Sequence, residues 1–193
     1  MSDVILIGQD GTPRCFWCGS DSLYTCYHDE EWGRPVYDDR LLFEMLCLEG
    51  AQAGLSWITV LRKRKEYKKL FSDFDFVKIT TYTDKKLEQI LLNPGIIRNR
   101  LKVYGVRKNA FAAVKIVKEW GSLSKYLWSF VKNKPIRNTL RTRSDFVSTS
   151  PESDMMSRGL KSFGMTFVGS TICYAFMQAC GMVNDHAVGC TFR

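Results

Sequence analysis

The sequence predicts a mainly α-helical chain, on three observations. Apolar residues recur at helical rather than alternating spacing in the long segments, the five prolines all fall at boundaries between them, and no run reads as a strand ladder. The helix that organises the rest begins near Val168. Ile172, Ala175, Phe176, Ala179 and Val183 follow at helical spacing, and the opposite side, Cys173, Tyr174, Met177 and Cys180, is also largely apolar. A helix apolar all round belongs in a core. Before it, Gly164-Met-Thr-Phe-Val-Gly169 places two glycines around a tight turn, so the local reading is helix, hairpin, helix. Glycines let the backbone approach a ligand closely, and the free amides of a helix opening at Ser170 and Thr171 favour an anion such as phosphate.

The totals narrow the function classes. A chain of 193 residues makes one domain, with or without a lobe, and buries most of its apolar surface unaided. Lys and Arg outnumber Asp and Glu by 28 to 20, a net charge of +8 that points to a polyanionic partner, nucleic acid foremost. The N-terminus has no signal-peptide pattern and no stretch reaches membrane-spanning length. Seven cysteines, several inside helical patterns, fit a reducing compartment better than a disulfide framework. The expectation is a soluble, cytoplasmic protein with no membrane partner.

In chain order, residues 1–13 read as a loosely held arm and 14–193 as a single domain. RCFWCGSDSLYTCYHDEEWG then packs cysteines, a histidine and aromatic rings into one short span, the composition of a site or a packed loop. From Asp38 to Ala53 a helix carries the stripe Leu42, Met45, Leu46, Glu49 and Ala53. Glu49 either swings to water or an Arg, or faces a cavity and accepts hydrogen bonds from something buried, since an unpaired buried carboxylate is costly. Gly54-Leu55-Ser56-Trp57 breaks that helix and sets a large ring beside Glu49, a combination suited to a flat, hydrogen-bonding base. Residues 58–71 form a basic helix, either a solvated face or a phosphate contact. Asn93-Pro94-Gly95 is a turn before a long helix with Ile97, Leu101, Tyr104, Phe111 and Val114 inward and Arg98, Arg100, Lys102, Arg107 and Lys108 outward. A shorter helix at 122–132 leads to a polar connection, and Ser150-Pro151 opens the helix before the hairpin as N-cap and first residue. Gly181 caps the buried helix, and Asn184, Asp185, His186 and Cys190 follow.

The two histidines of the chain each lie near cysteine, as Cys15-x12-His28 and His186-x3-Cys190, the latter spacing placing both groups on one face of a helical turn. Two Cys and two His suit one structural, tetrahedral Zn²⁺ that ties the N-terminal arm to the C-terminal end. Buried free cysteines are the plainer alternative, and Cys15-x2-Cys18 offers a rival ligand set.

CLEGAQAGLSWITVL, GIIRNR, FVGSTICYAFMQACG and VNDHAVGC together resemble DNA-3-methyladenine glycosylase I, the Tag branch of the helix-hairpin-helix glycosylases, over about Cys15 to Cys190. The resemblance implies an all-α fold of two helical lobes around a cleft, and zinc on Cys15, His28, His186 and Cys190, without Cys18. It implies a base pocket of Trp17, Tyr24, Tyr27, Glu49 and Trp57, with Glu49 reading the base and carrying catalysis. Gly164, Thr166, Gly169, Ser170 and Thr171 would grip phosphate, and Leu55 would fill the gap left by a flipped nucleotide. The implied activity is monofunctional excision of N3-methyladenine from double-stranded alkylated DNA by a monomer, releasing the free base. Many members of the wider superfamily carry a catalytic Asp where this chain has Asn184, and Asp185 is one residue along. Methylation at N3 puts positive charge on adenine and weakens its glycosidic bond, so a cationic, labile lesion tolerates the missing carboxylate. Ala51 stands where the family more usually has Gln. Asn184 also keeps open a different reading, a zinc-stapled helix-hairpin-helix DNA-binding protein without catalysis.

Overall fold

The computed structural model describes residues 3–193. Among the described residues nine α-helices and four short strands follow in order: β1 Ile5–Ile7, β2 Pro13–Cys15, α1 Ser22–Glu30, α2 Asp39–Gln52, α3 Trp57–Leu70, α4 Phe76–Thr80, α5 Asp84–Leu91, α6 Arg100–Trp120, α7 Leu123–Ser129, β3 Ile136–Arg137, α8 Pro151–Ser162, α9 Ser170–Ala179 and β4 Val183–Asn184. The all-α class holds. Among the described residues no helix is long and apolar enough to cross a membrane.

The helix ends follow local side-chain chemistry. Asp38 caps α2 by accepting from the Leu41 amide at 2.8 Å, Asn99 caps α6, and Ser150 caps α8 in a reciprocal box with Ser153, with Pro151 in the first turn. Gly121 and Gly181 end α6 and α9 with φ of +83° and +70°. Gly181 is doubly constrained, because a Cβ there would overlap the Arg34 and Pro35 backbone.

Helix α2 is the centre of the packing, against α3, α6, α7 and α9. Its burial runs all round, from Leu42 to Ala51 without a break, rather than along one stripe. The carboxylate of Asp39 at its start accepts the Leu123 and Ser124 amides at 3.0 and 2.7 Å and so docks α7. Helix α9 is buried on most sides as its composition requires, and α8 lies against it across the hairpin.

Three expectations are corrected. The inward face of α6 consists of Val103, Val106, Ala110, Ala113 and Ile116, while Leu101 is 73% exposed, Phe111 50% exposed, and Val114 also exposed. Close approach of α4, α2 and the hairpin selects small residues, so the large ones do not mark the core. The N-terminal segment is no loose arm over its described part: β1 pairs antiparallel with β2, and Val4 is fully buried. Residues 1 and 2 lie outside the described residues. In the C-terminal segment, His186 and Cys190 sit on an irregular turn after β4 rather than on a helix. Parallel pairing of β4 with β3, Ile136 to Val183 and Arg137 to Asn184, gives the polar connection a backbone anchor that its composition did not announce.

Candidate active site

A cavity of about 280 Å³ opens where α1, the junction of α2 with α3, and α9 converge. It is lined by Trp17, Tyr24, Tyr27, Glu49 and Trp57, the five residues singled out from sequence, together with Phe16, Trp32, Gln52, Phe146, Ala175 and Gln178. The rings form a connected wall: Trp17 to Tyr24 at 5.3 Å, Tyr24 to Tyr27 at 6.5 Å and Tyr27 to Trp57 at 5.4 Å between centroids. Glu49 reaches the cavity from the last turn of α2 and Trp57 from the first residue of α3, so the break at Gly54 aims both into one space.

Glu49 is 3% exposed and neither swings to water nor pairs with an Arg. Among the described residues, Glu49 Oε2 and Trp57 Nε1 are the buried side-chain polar atoms without a hydrogen-bond partner. Native structures rarely leave such atoms unsatisfied, and here both belong to residues that line the same cavity. Burial pushes the Glu49 carboxyl up to about 8. Burial, and then the neighbouring Glu49, raise the Tyr27 hydroxyl well above its usual range, which keeps it a donor.

Behind the wall lies the cysteine and histidine cluster. Cys15, His28, His186 and Cys190 are buried and offer donor atoms within 4.8 Å of one another. Cys190 Sγ lies 3.6 Å from His28 Nε2 and 3.4 Å from His186 Nδ1, and Cys15 Sγ lies 3.7 Å from His186 Nδ1. A tetrahedral ion with ordinary Zn–S and Zn–N bonds spans sulfur and nitrogen donors roughly 3.5 Å apart, so the set fits. Each ring is oriented from behind: His28 Nδ1 meets Asp29 Oδ1 at 2.7 Å, with Arg14 Nε within 3.0 Å of both Asp29 oxygens, and His186 Nε2 meets the Trp32 carbonyl at 3.1 Å. The Cys15 hydrogen bond, aided by His186 and His28, holds the Cys190 thiol far below its usual range, giving the thiolate that ligates metals. Cys18 is buried but outside the cluster, its sulfur directed to the Gly19 carbonyl. Tyr27 and His28 are adjacent on α1, so the cluster anchors the helix that carries part of the cavity wall.

The hairpin residues lie apart from the cavity. Gly164 has φ of +94°. Gly169 caps α9 with no side-chain bond, which leaves the first amides of the helix open to a ligand. Thr171 is exposed, whereas the Ser170 hydroxyl is engaged with Asp154 and Ser153, and the Thr166 amide donates to Asn109 Oδ1 at 2.8 Å. Leu55 is 42% exposed at the tip of the turn between α2 and α3, beside the cavity-lining Gln52 and Trp57. The basic helix α3 is largely tied internally: Arg64 bridges Glu44 and Glu31, Lys68 reaches Glu44, and Arg62 pairs with Asp21.

Neither Asn184 nor Asp185 lines the cavity. Asp185 is 1% exposed and accepts from Tyr174, Gln178 and Asn138 at 2.8, 2.7 and 2.7 Å, while Asn184 Oδ1 accepts the His186 amide. Gln178 therefore joins this network to the cavity. Its position one helical turn beyond Ala175 was a readable signal, and Phe16 and Trp32 lay in the ring-rich span. Phe146, in the polar connection, had none.

A family model described as methyladenine glycosylase matches residues 17–193. DNA-3-methyladenine glycosylase 1 of Escherichia coli (strain K12) is 47% identical over 177 residues, covering 92% of this chain and 95% of that protein. A crystal structure of 3-methyladenine DNA glycosylase I superposes with a TM-score of 0.90 at 47% identity, covering 92% of this chain and 98% of the other. A variant of a 3-methyladenine DNA glycosylase I in complex with 3-methyladenine gives 0.89 at 33% identity, covering 92% and 96%. With the match running through the cavity wall, the hairpin and the segment after β4, the chain belongs to the methyladenine glycosylase family.

Proposed function

We propose that the chain hydrolyses the N-glycosidic bond of N3-methyladenine in double-stranded DNA, releasing the free base and leaving an abasic site. The observation that carries this is the pair Glu49 Oε2 and Trp57 Nε1, buried and unpartnered on residues that line a ring-walled cavity beside an exposed aliphatic turn. A flipped base would lie against the Trp17 and Trp57 rings, with Tyr27 and Glu49 on its edge and Leu55 in the vacated stack. Burial favours the neutral form of Glu49, so a cationic base would draw the carboxyl into its charged form, its proton passing to solvent, and gain a buried ion pair that a neutral adenine cannot form. Selectivity comes from that charge, and rate from extrusion of a base whose bond is already weak. Asp185, engaged by three donors, holds Gln178 in place rather than activating water.

Cys15, His28, His186 and Cys190 would hold one Zn²⁺, whose four protein donors leave no position for a catalytic water. The hairpin and the open amides of α9 would hold backbone phosphate without reading sequence. No lysine lines the cavity among the described residues, which supports reading the enzyme as monofunctional; it is also read as a monomer.

The test is incubation of purified protein with methylated duplex DNA and chromatography of the released bases. Release of N3-methyladenine, with N7-methylguanine left in place, is the expected result. Tight DNA binding without release would favour a non-catalytic zinc-stapled binder, the reading that Asn184 and the hydrogen-bonded Asp185 support.

A further inference from the structure

The Leu55 turn and the hairpin are held from behind by one face of α6. Lys102 Nζ donates to the Ala51 carbonyl at 2.8 Å and to the Ala53 carbonyl at 2.7 Å, gripping the end of α2 and the start of the turn. Two helical turns further along, Asn109 exchanges two bonds with Thr166, its Nδ2 donating to the carbonyl at 3.0 Å and its Oδ1 accepting the amide at 2.8 Å. Between them Gly105 lets the hairpin touch the helix, since a Cβ there would stand 3.1 Å from Thr166 Oγ1 and 3.3 Å from the Phe167 ring. Gly50, the neighbour of Glu49, does the same from α2, where a Cβ would stand 3.0 Å from that of Phe167. Phe167 itself is held at φ +57°. With no side chain on α6 or α2 at these two positions, the Thr166 and Phe167 side chains of the hairpin pack directly on both helix backbones.

We infer that Lys102 and Asn109 are positioning residues that fix the spacing between the Leu55 turn and the hairpin, so that wedge insertion and backbone grip occur in one register. The inference rests on the proposed DNA reading of those two loops. The ruler is seven residues of helix, about 10.5 Å. An ammonium suits this place because the C-terminal carbonyls of α2 carry the negative end of the helix dipole, and one Nζ satisfies a helix carbonyl and a turn carbonyl at once. A cap that served stability alone needs only the former.

The test is a cycle of Lys102→Met, Lys102→Arg and Leu55→Ala, with the Met and Ala changes also combined. It is read by single-turnover excision from methylated duplex and by the Kd for free 3-methyladenine. Lys102→Met should slow excision by on the order of 10- to 100-fold and leave free-base binding unchanged. Lys102→Arg should recover most of the rate, and Lys102→Met should add little once Leu55 is gone. Losses that multiply, or free-base binding that weakens with excision, would overturn the inference. Wild-type protein that released no base would instead bring down the glycosylase reading. The same cycle on affinity for duplex with an abasic gap would then decide the register, coupled losses supporting it and independent losses refuting it.

Discussion

Replacing Glu49 with Gln separates the stability of this protein from its selectivity. Burial lifts the carboxyl from 4.5 to about 8. Between those values the unfolded chain has released a proton that the folded chain retains, so stability falls as pH rises through the window and is flat outside it. At about 1.36 kcal/mol per unit, the loss is about 5 kcal/mol above pH 8 and about 3 kcal/mol at pH 7. Gln keeps the shape and does not titrate. Whatever constant offset its buried amide introduces, the stability of the variant relative to wild type should climb with pH by about 1.4 kcal/mol per unit from pH 4.5 to 8. For a chain of this length, 3 kcal/mol is a gain in Tm on the order of 10 °C. Thermal and urea unfolding of both proteins from pH 4 to 9 measures this directly. A difference that stays constant across the window would show that Glu49 is solvated or paired in solution and would refute the argument from its burial. The variant should still bind DNA and should lose much of its discrimination for the methylated base.

Other consequences can be measured more simply. Asp185→Asn leaves its donors short of an acceptor and should lower stability by about 3 kcal/mol, the scale for disrupting a buried charged network, while the pH profile of the residual excision keeps its shape; a lost basic limb would restore Asp185 as a proton acceptor. Metal analysis should find one zinc per chain in wild type and in Cys18→Ser but not in Cys190→Ser, and chelation should lower the Tm until one equivalent of Zn²⁺ is returned. Gly181→Ala puts a Cβ into the Arg34 carbonyl carbon at a left-handed φ, and by circular dichroism melting it should cost more than 2 kcal/mol, above the range for a surface change.

Much of the candidate site was legible because the residues that form it are chemically unusual in short stretches. Two histidines with cysteine neighbours, a carboxylate in an apolar stripe followed by a Gly-Leu-Ser-Trp break, and two glycines between helices each violate the local pattern around them. A violation of pattern is what a functional group leaves in a sequence. Where the chain was ordinary the signal failed. Phe146 gave no warning from its polar loop, and the face of α6 was misassigned because Leu101 and Phe111 are larger than the alanines that are actually buried.

The sequence by itself determined the helical class, the caps at Ser150 and Gly181, the two Cys/His pairs and the hairpin, all of which depend on neighbours within a few turns. Spacing alone left Cys18 as a rival, and the tertiary structure gathers Cys15 and Cys190 with the two histidines into one cluster that could hold a metal, across nearly the whole chain, while Cys18, three residues from the first, points elsewhere. It likewise decided that Glu49 Oε2 is unpartnered, that Asp185 is engaged by three donors, and that Lys102 serves the α2 turn rather than a phosphate. Hydrogen-bond satisfaction is a property of the space around a group, and that space is assembled from segments whose order along the chain says little about their distance.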